Sequence, residues 1–146
     1  LIQPKCALTF PHSAHYQQDG DYILGGLITV MTYFSHLKFD FKTKPSNLYC
    51  KTVNYQSLLA FVFAVTEINK NPRLLPNITL GFHIVDHCLT EAMATIGMID
   101  IMSGKGLPIP NYRWGLSPNL VAVVDGISSK VTLLIARMFG IYRLPQ

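Results

Sequence analysis

The densest group of chemically capable side chains in the chain is the run His83-Ile84-Val85-Asp86-His87-Cys88. Imidazole, carboxylate and thiolate are the groups that hold zinc, which takes its donors in a tetrahedron. On a strand, however, His83 and His87 face one side while Asp86 and Cys88 face the other. Those donors cannot converge without ligands from elsewhere, and neither CxxC nor HExxH occurs. No metal is assigned to the run, and the plainer account is a strand end with a structural cysteine. Enzyme motifs are equally hard to find. Gly104-Lys105-Gly106 lacks the rest of a Walker A loop, and no GxGxxG opens a helix. Gly126-Ile127-Ser128-Ser129-Lys130 does not match the nucleophile elbow GxSxG. No carboxylate pair stands out, so no catalytic residue is assigned and the chain is not expected to be an enzyme.

One stretch keeps two meanings open. Asp125-Gly126-Ile127-Ser128-Ser129 lies between an apolar strand-like run and a helix-like one. Hydroxyls and unpaired amides at a helix N-terminus bind anions. Serine is also a common N-cap with no ligand at all.

These residues need a scaffold, and the composition supplies one. The chain has 146 residues, 49% of them hydrophobic and only 14% charged. Charged residues usually approach about 25%, and a disordered chain would carry few apolar residues and high net charge. The net charge is +4, but the cations are scattered from Lys5 to Arg143 rather than gathered in a patch. A nucleic-acid partner is not expected on that pattern. The longest unbroken apolar run, residues 58–65, falls well short of the ~20 residues that cross a bilayer. The chain starts at Leu1, so a removed leader or a fragment is expected. Three cysteines leave one over after pairing, and Asn77-Ile78-Thr79 is a glycosylation sequon.

Along the chain, residues 1–20 read as an irregular arm and residues 22–33 as one buried strand, with Gly25 and Gly26 marking a close approach. Residues 35–53 and 103–119 read as loops. Leu58, Val62 and Val65 recur at helical spacing within 55–69, with Asn54 as N-cap and Pro72 as terminator. Residues 79–85 and 120–124 are further strands; 90–102 and 128–142 are further helices, the last apolar nearly all round. Strand–helix alternation of this kind is the mark of an α/β fold with a parallel sheet, whose ligands bind beyond the carboxyl ends of the strands.

Several segments then resemble a known family. Gly20-Asp21-Tyr22-Ile23-Leu24-Gly25-Gly26-Leu27 is similar to the first-strand motif of class C G-protein-coupled receptor ectodomains. Phe63-Ala64-Val65, Glu67-Ile68-Asn69-Lys70-Asn71-Pro72 and Leu74-Leu75-Pro76-Asn77-Ile78-Thr79-Leu80-Gly81 resemble the run that follows there. The match continues through Asp86, Cys88, Val121-Ala122-Val123-Val124, Ser128-Ser129 and Tyr142-Arg143-Leu144-Pro145-Gln146. It most resembles the vomeronasal type 2 group, with calcium-sensing and glutamate receptors as cousins. The runner-up from another class is a soluble periplasmic-type binding protein.

The resemblance implies a two-lobed Venus flytrap of periplasmic-binding-protein type, at the extracellular face of the plasma membrane, closing on an amino-acid or pheromone-like ligand. It implies no cofactor. Dimerisation is through the first lobe, and a G protein engages only the membrane domain. Residues 1–146 would be an incomplete first lobe. Ser128 and Ser129 would meet the ligand, Cys50 and Cys88 would form a disulfide, and Asn77 would carry a glycan. Met93, Ile96, Ile135, Met138 and Phe139 are the candidates for the dimer surface. Three departures stand out. Asp125-Gly126 replaces Gly-Gly, Trp114 follows Asn111-Tyr112-Arg113 where a cysteine is usual, leaving Cys6 unpaired, and the long loop is short. Together they suggest a partial or degraded gene product.

Overall fold

The computed structural model describes residues 15–34, 49–52, 54–103, 119–126 and 128–146. Their strands and helices alternate: β1 (His15–Gln18), β2 (Tyr22–Ile28), β3 (Met31–Phe34), β4 (Tyr49–Thr52), α1 (Tyr55–Lys70), β5 (Leu80–Asp86), α2 (Glu91–Ser103), β6 (Asn119–Asp125) and α3 (Ser129–Ile141). The main sheet runs β1-β5-β2-β6, with β2 parallel to both β5 and β6 and β1 antiparallel at one edge. The α/β class and the mostly parallel sheet expected from the alternation are therefore present.

Alternation along β5 explains how the sheet holds a layer on each face, because successive side chains point to opposite sides. Leu80, Phe82 and Ile84 pack with Leu58 and Val65 of α1. Val85 joins Leu27, Val123 and the α2 and α3 residues Met98, Ile101, Ile135 and Phe139 on the other face. Every residue of β5 is buried, so its pattern is continuous rather than amphipathic. Close approach of α2 needs glycine. A Cβ on Gly97 would come within 2.9 Å of Val85 Cγ1, and one on Gly25 within 2.9 Å of Ile101 Cγ2. The expectation of a close approach at Gly25 and Gly26 is met by Ile101 and Ile84 respectively.

Polar side chains tie the strand starts in place. Asn69 pairs with the Leu80 backbone through both amide atoms, at 2.8 and 2.9 Å. The Asp21 carboxylate accepts from the Thr79 amide at 2.7 Å and from its hydroxyl at 2.8 Å. That pair holds the Asp21 carboxyl below its usual range, the Thr79 backbone bond being the main cause.

Two expectations from the sequence are corrected. The run 22–33 is not one strand: β2 ends at Ile28, and Met31–Phe34 belongs to a separate two-stranded antiparallel sheet with β4. The break arises because the Asp86 carboxylate captures the Val30 and Met31 amides, at 3.2 and 2.9 Å, that a continuing ladder would have used. The arm over 1–20 contains an edge strand at its end, since His15–Gln18 pairs with β5 from Val85 back to Phe82. Residues 1–14, 35–48 and 104–118, with Cys6 and most of both expected loops, lie outside the described residues. No helix among the described residues is long and apolar enough to cross a membrane.

Candidate functional site

The carboxyl ends of the parallel strands lie level with one another: Ile28 is opposite Asp86, and Leu27 is opposite Asp125. Polar residues that follow each strand therefore gather at one end of the sheet. Three roles emerge there.

Asp86 is a backbone clamp. It is 1% exposed, and besides Val30 and Met31 it accepts the Cys88 amide at 2.9 Å. Asp86 thus joins the β2–β3 turn to the β5–α2 turn, a role the sequence did not signal. His87 is fully buried, with Nε2 3.1 Å from the Thr29 hydroxyl. Burial holds the imidazole below its ordinary value of 6.5, against the opposing pull of Asp125 and Asp86. His87 is thus a neutral packing group in the native state. His83 and His87 do not form a centre with Asp86 and Cys88; each of the four has its own structural surroundings.

The β6–α3 turn is the third element. Ser128 occupies the N-cap position with extended backbone, yet its side chain makes no capping hydrogen bond. Serine in this position ordinarily accepts an amide of the first turn. Ser129 opens the helix and is exposed. Asp125 is partly buried; its Oδ2 accepts from the Thr132 hydroxyl at 2.5 Å, while its buried Oδ1 has no hydrogen-bond partner. The carboxylate thus turns along the first turn of α3, where the helix dipole favours negative charge. Asp125 does not take up the left-handed backbone that favours glycine.

Beside this turn lies a cavity of about 460 Å³ between α1 and the ends of β2 and β6. Phe61, Ala64 and Ile68 form its helical wall, Leu24 and Val124 its floor, and Ser57, Asp125 and Gly126 its polar points. A mostly apolar concavity with a few convergent polar groups is the usual form of a small-molecule site.

Other singled-out residues fall elsewhere. Cys88 is buried just after β5, with φ 48°, and Cys50 lies on β4 opposite Tyr33. Asn77 is exposed in the turn before β5, with φ 58°. Of the candidate dimer residues, Met93, Ile135 and Phe139 are buried within the chain's own core, whereas Ile96 and Met138 are half-buried. The outer face of α3 instead exposes Leu133 and Ile141.

Residues 56–146 match the receptor family ligand binding region. The chain is 34% identical over 148 residues to "Vomeronasal type-2 receptor 26" of Mus musculus, covering 95% of this chain and 17% of that protein. It is 32% identical over 153 residues to the "Extracellular calcium-sensing receptor" of Homo sapiens, covering 96% of this chain and 14% of that one. "Taste receptor type 1 member 2" of Macaca mulatta is 30% identical over 131 residues, 87% of this chain and 16% of the receptor. The chain thus spans less than one fifth of the length of these relatives. All three are receptors rather than enzymes. Family match, parallel α/β sheet and relatives agree, and the chain belongs to the receptor family ligand binding region, among relatives that are class C G-protein-coupled receptors.

Proposed function

We propose that this chain supplies part of the first lobe of an extracellular ligand-binding region of a class C receptor, which in the complete receptor closes on an amino-acid or pheromone-like ligand. The observation that carries the ligand assignment is the uncapped start of α3. The Ser128 hydroxyl is not spent on its own helix, and it follows β6 two positions after Gly126, which with Asp125 lines the apolar cavity. A ligand carboxylate would accept from the Ser128 and Ser129 hydroxyls and first-turn amides, each charge-assisted bond contributing about 1.5–3 kcal/mol. Asp125 opposes this, since its carboxylate already occupies the electropositive helix start. In the complete receptor, plasma-membrane placement, first-lobe dimerisation and coupling to a G protein through a membrane domain belong to the same proposal. Leu133 and Ile141 of α3 are the exposed apolar residues available to a lobe–lobe contact.

Calorimetric titration of a complete ectodomain with individual L-amino acids tests the site. Ser129→Ala should weaken binding by about tenfold or more, the equivalent of one such bond. Asp125→Gly should strengthen it. The 146-residue chain alone should bind none of them measurably. Equal affinities in the parent and both variants would reduce the serines to a helix start with no ligand role.

A further inference from the structure

At the β1 edge of the sheet, three side chains from three elements meet on the α2 face. His15 comes from the edge strand β1, His83 from the central strand β5 and Asp100 from α2. The antiparallel register brings the first two together, because His15 pairs with Val85 and Gln17 with His83, so His15 and His83 lie diagonally on one face. Their ring centroids are 6.0 Å apart. Asp100 Oδ2 lies 3.3 Å from His15 Nδ1 and 3.1 Å from His83 Nε2, and all three donor atoms fall within 4.8 Å of one another.

We propose that His15, His83 and Asp100 form a binding site for a zinc-type divalent transition-metal ion. Ligand bonds of about 2.0–2.1 Å in a tetrahedron place neighbouring donors roughly 3.3–3.4 Å apart. Two of the three separations already have nearly that value. His83 is only 8% exposed, and its buried Nε2, though 3.1 Å from the Asp100 carboxylate, makes no aligned hydrogen bond. A buried ring nitrogen without an aligned hydrogen bond carries a cost that a metal bond removes. His15 and Asp100 are partly open to solvent, which leaves water as the fourth ligand. Two nitrogens and one oxygen suit zinc, copper or nickel and not the oxygen-seeking calcium or magnesium. The ion would fasten the edge strand to the sheet and to α2. Strand geometry alone kept His83 from this role; its partners come from 68 residues before and 17 after it, numbered from His15 and Asp100.

Titration of the 146-residue chain with Zn²⁺ tests the site, with Ca²⁺ and Mg²⁺ as comparison ions. The two partly exposed ligands are the ones to change, with circular dichroism confirming that each variant remains folded. His15→Gln and Asp100→Asn should each remove or weaken one Zn²⁺ site by more than about tenfold, since even outer-shell changes around metals cost 10–100-fold. In the unmodified chain, Zn²⁺ should protect His15 and His83 from diethyl pyrocarbonate, read by mass spectrometry. Unchanged Zn²⁺ affinity in both folded variants overturns the site, as does modification of His15 and His83 that is indifferent to Zn²⁺ or equally suppressed by Ca²⁺.

Discussion

Replacing Asp86 by alanine removes the acceptor shared by three backbone amides. Oδ1 takes the Val30 N–H at 3.2 Å and the Cys88 N–H at 2.9 Å, and Oδ2 takes the Met31 N–H at 2.9 Å. A buried donor left without a partner costs about 1–3 kcal/mol. The Val30 and Cys88 bonds are buried and carry that cost in full, whereas the Met31 bond is part-buried and water can replace it. The sum is about 2–6 kcal/mol, a large share of the roughly 5–15 kcal/mol that holds a typical domain together. Asp86→Asn keeps the volume and one carbonyl oxygen for Val30 and Cys88, but turns an NH₂ group towards Met31. Its cost should be smaller, about 2–3 kcal/mol, close to one charge-assisted bond. Equilibrium urea denaturation followed by far-UV circular dichroism measures both, provided the slopes agree. An alanine variant within about 1 kcal/mol of the parent would refute the clamp, because at least two buried amides must lose their acceptor. An asparagine variant as damaging as alanine would show that charge, not hydrogen-bond geometry, is what the site requires.

Other outcomes follow from single residues. Because burial lowers the His87 pKa, the unfolded chain binds a proton that the native one resists. Stability should therefore be fully present above the ordinary histidine value of about 6.5 and fall as pH drops from there towards the lower native value; His87→Gln should flatten that slope in urea midpoints measured from pH 7.5 to 5. Cys50 and Cys88 should be joined in secreted protein, a link across 38 positions that stabilises by about 4 kcal/mol in the chain-entropy treatment. Non-reducing peptide mapping that joins Cys6 to either would exclude that pairing. Asn77 should carry a glycan when the protein is made in a secretory host, and unchanged gel mobility after glycosidase would count against it. Met93→Asp should impair folding, since Met93 is 8% exposed in the core, whereas Leu133→Asp should leave the fold intact and weaken first-lobe pairing in a complete receptor, read by sedimentation.

What the sequence determined by itself was whatever depends on near neighbours. The spacing of Leu58 and Val65 marked α1, and the nearly uncharged run that starts at Tyr22 marked a strand buried on both faces. Asp125 to Ser129 stood out because a strand end and a helix start adjoin there. Helical and strand periods are local properties, so they are visible in a linear text. Gly25 announced a close approach, but only the packing of α2 identified Ile101 as what approaches. Tertiary structure alone decided where residues 22–33 break, because the cause is a carboxylate more than fifty positions away in Asp86. It alone removed Ile135 and Phe139 from the outer face of α3, since an all-apolar helix does not declare which side meets the sheet. The meeting of His15, His83 and Asp100 was equally hidden: it depends on the register of β1 against β5 and on the docking of α2, and no spacing in the chain encodes either.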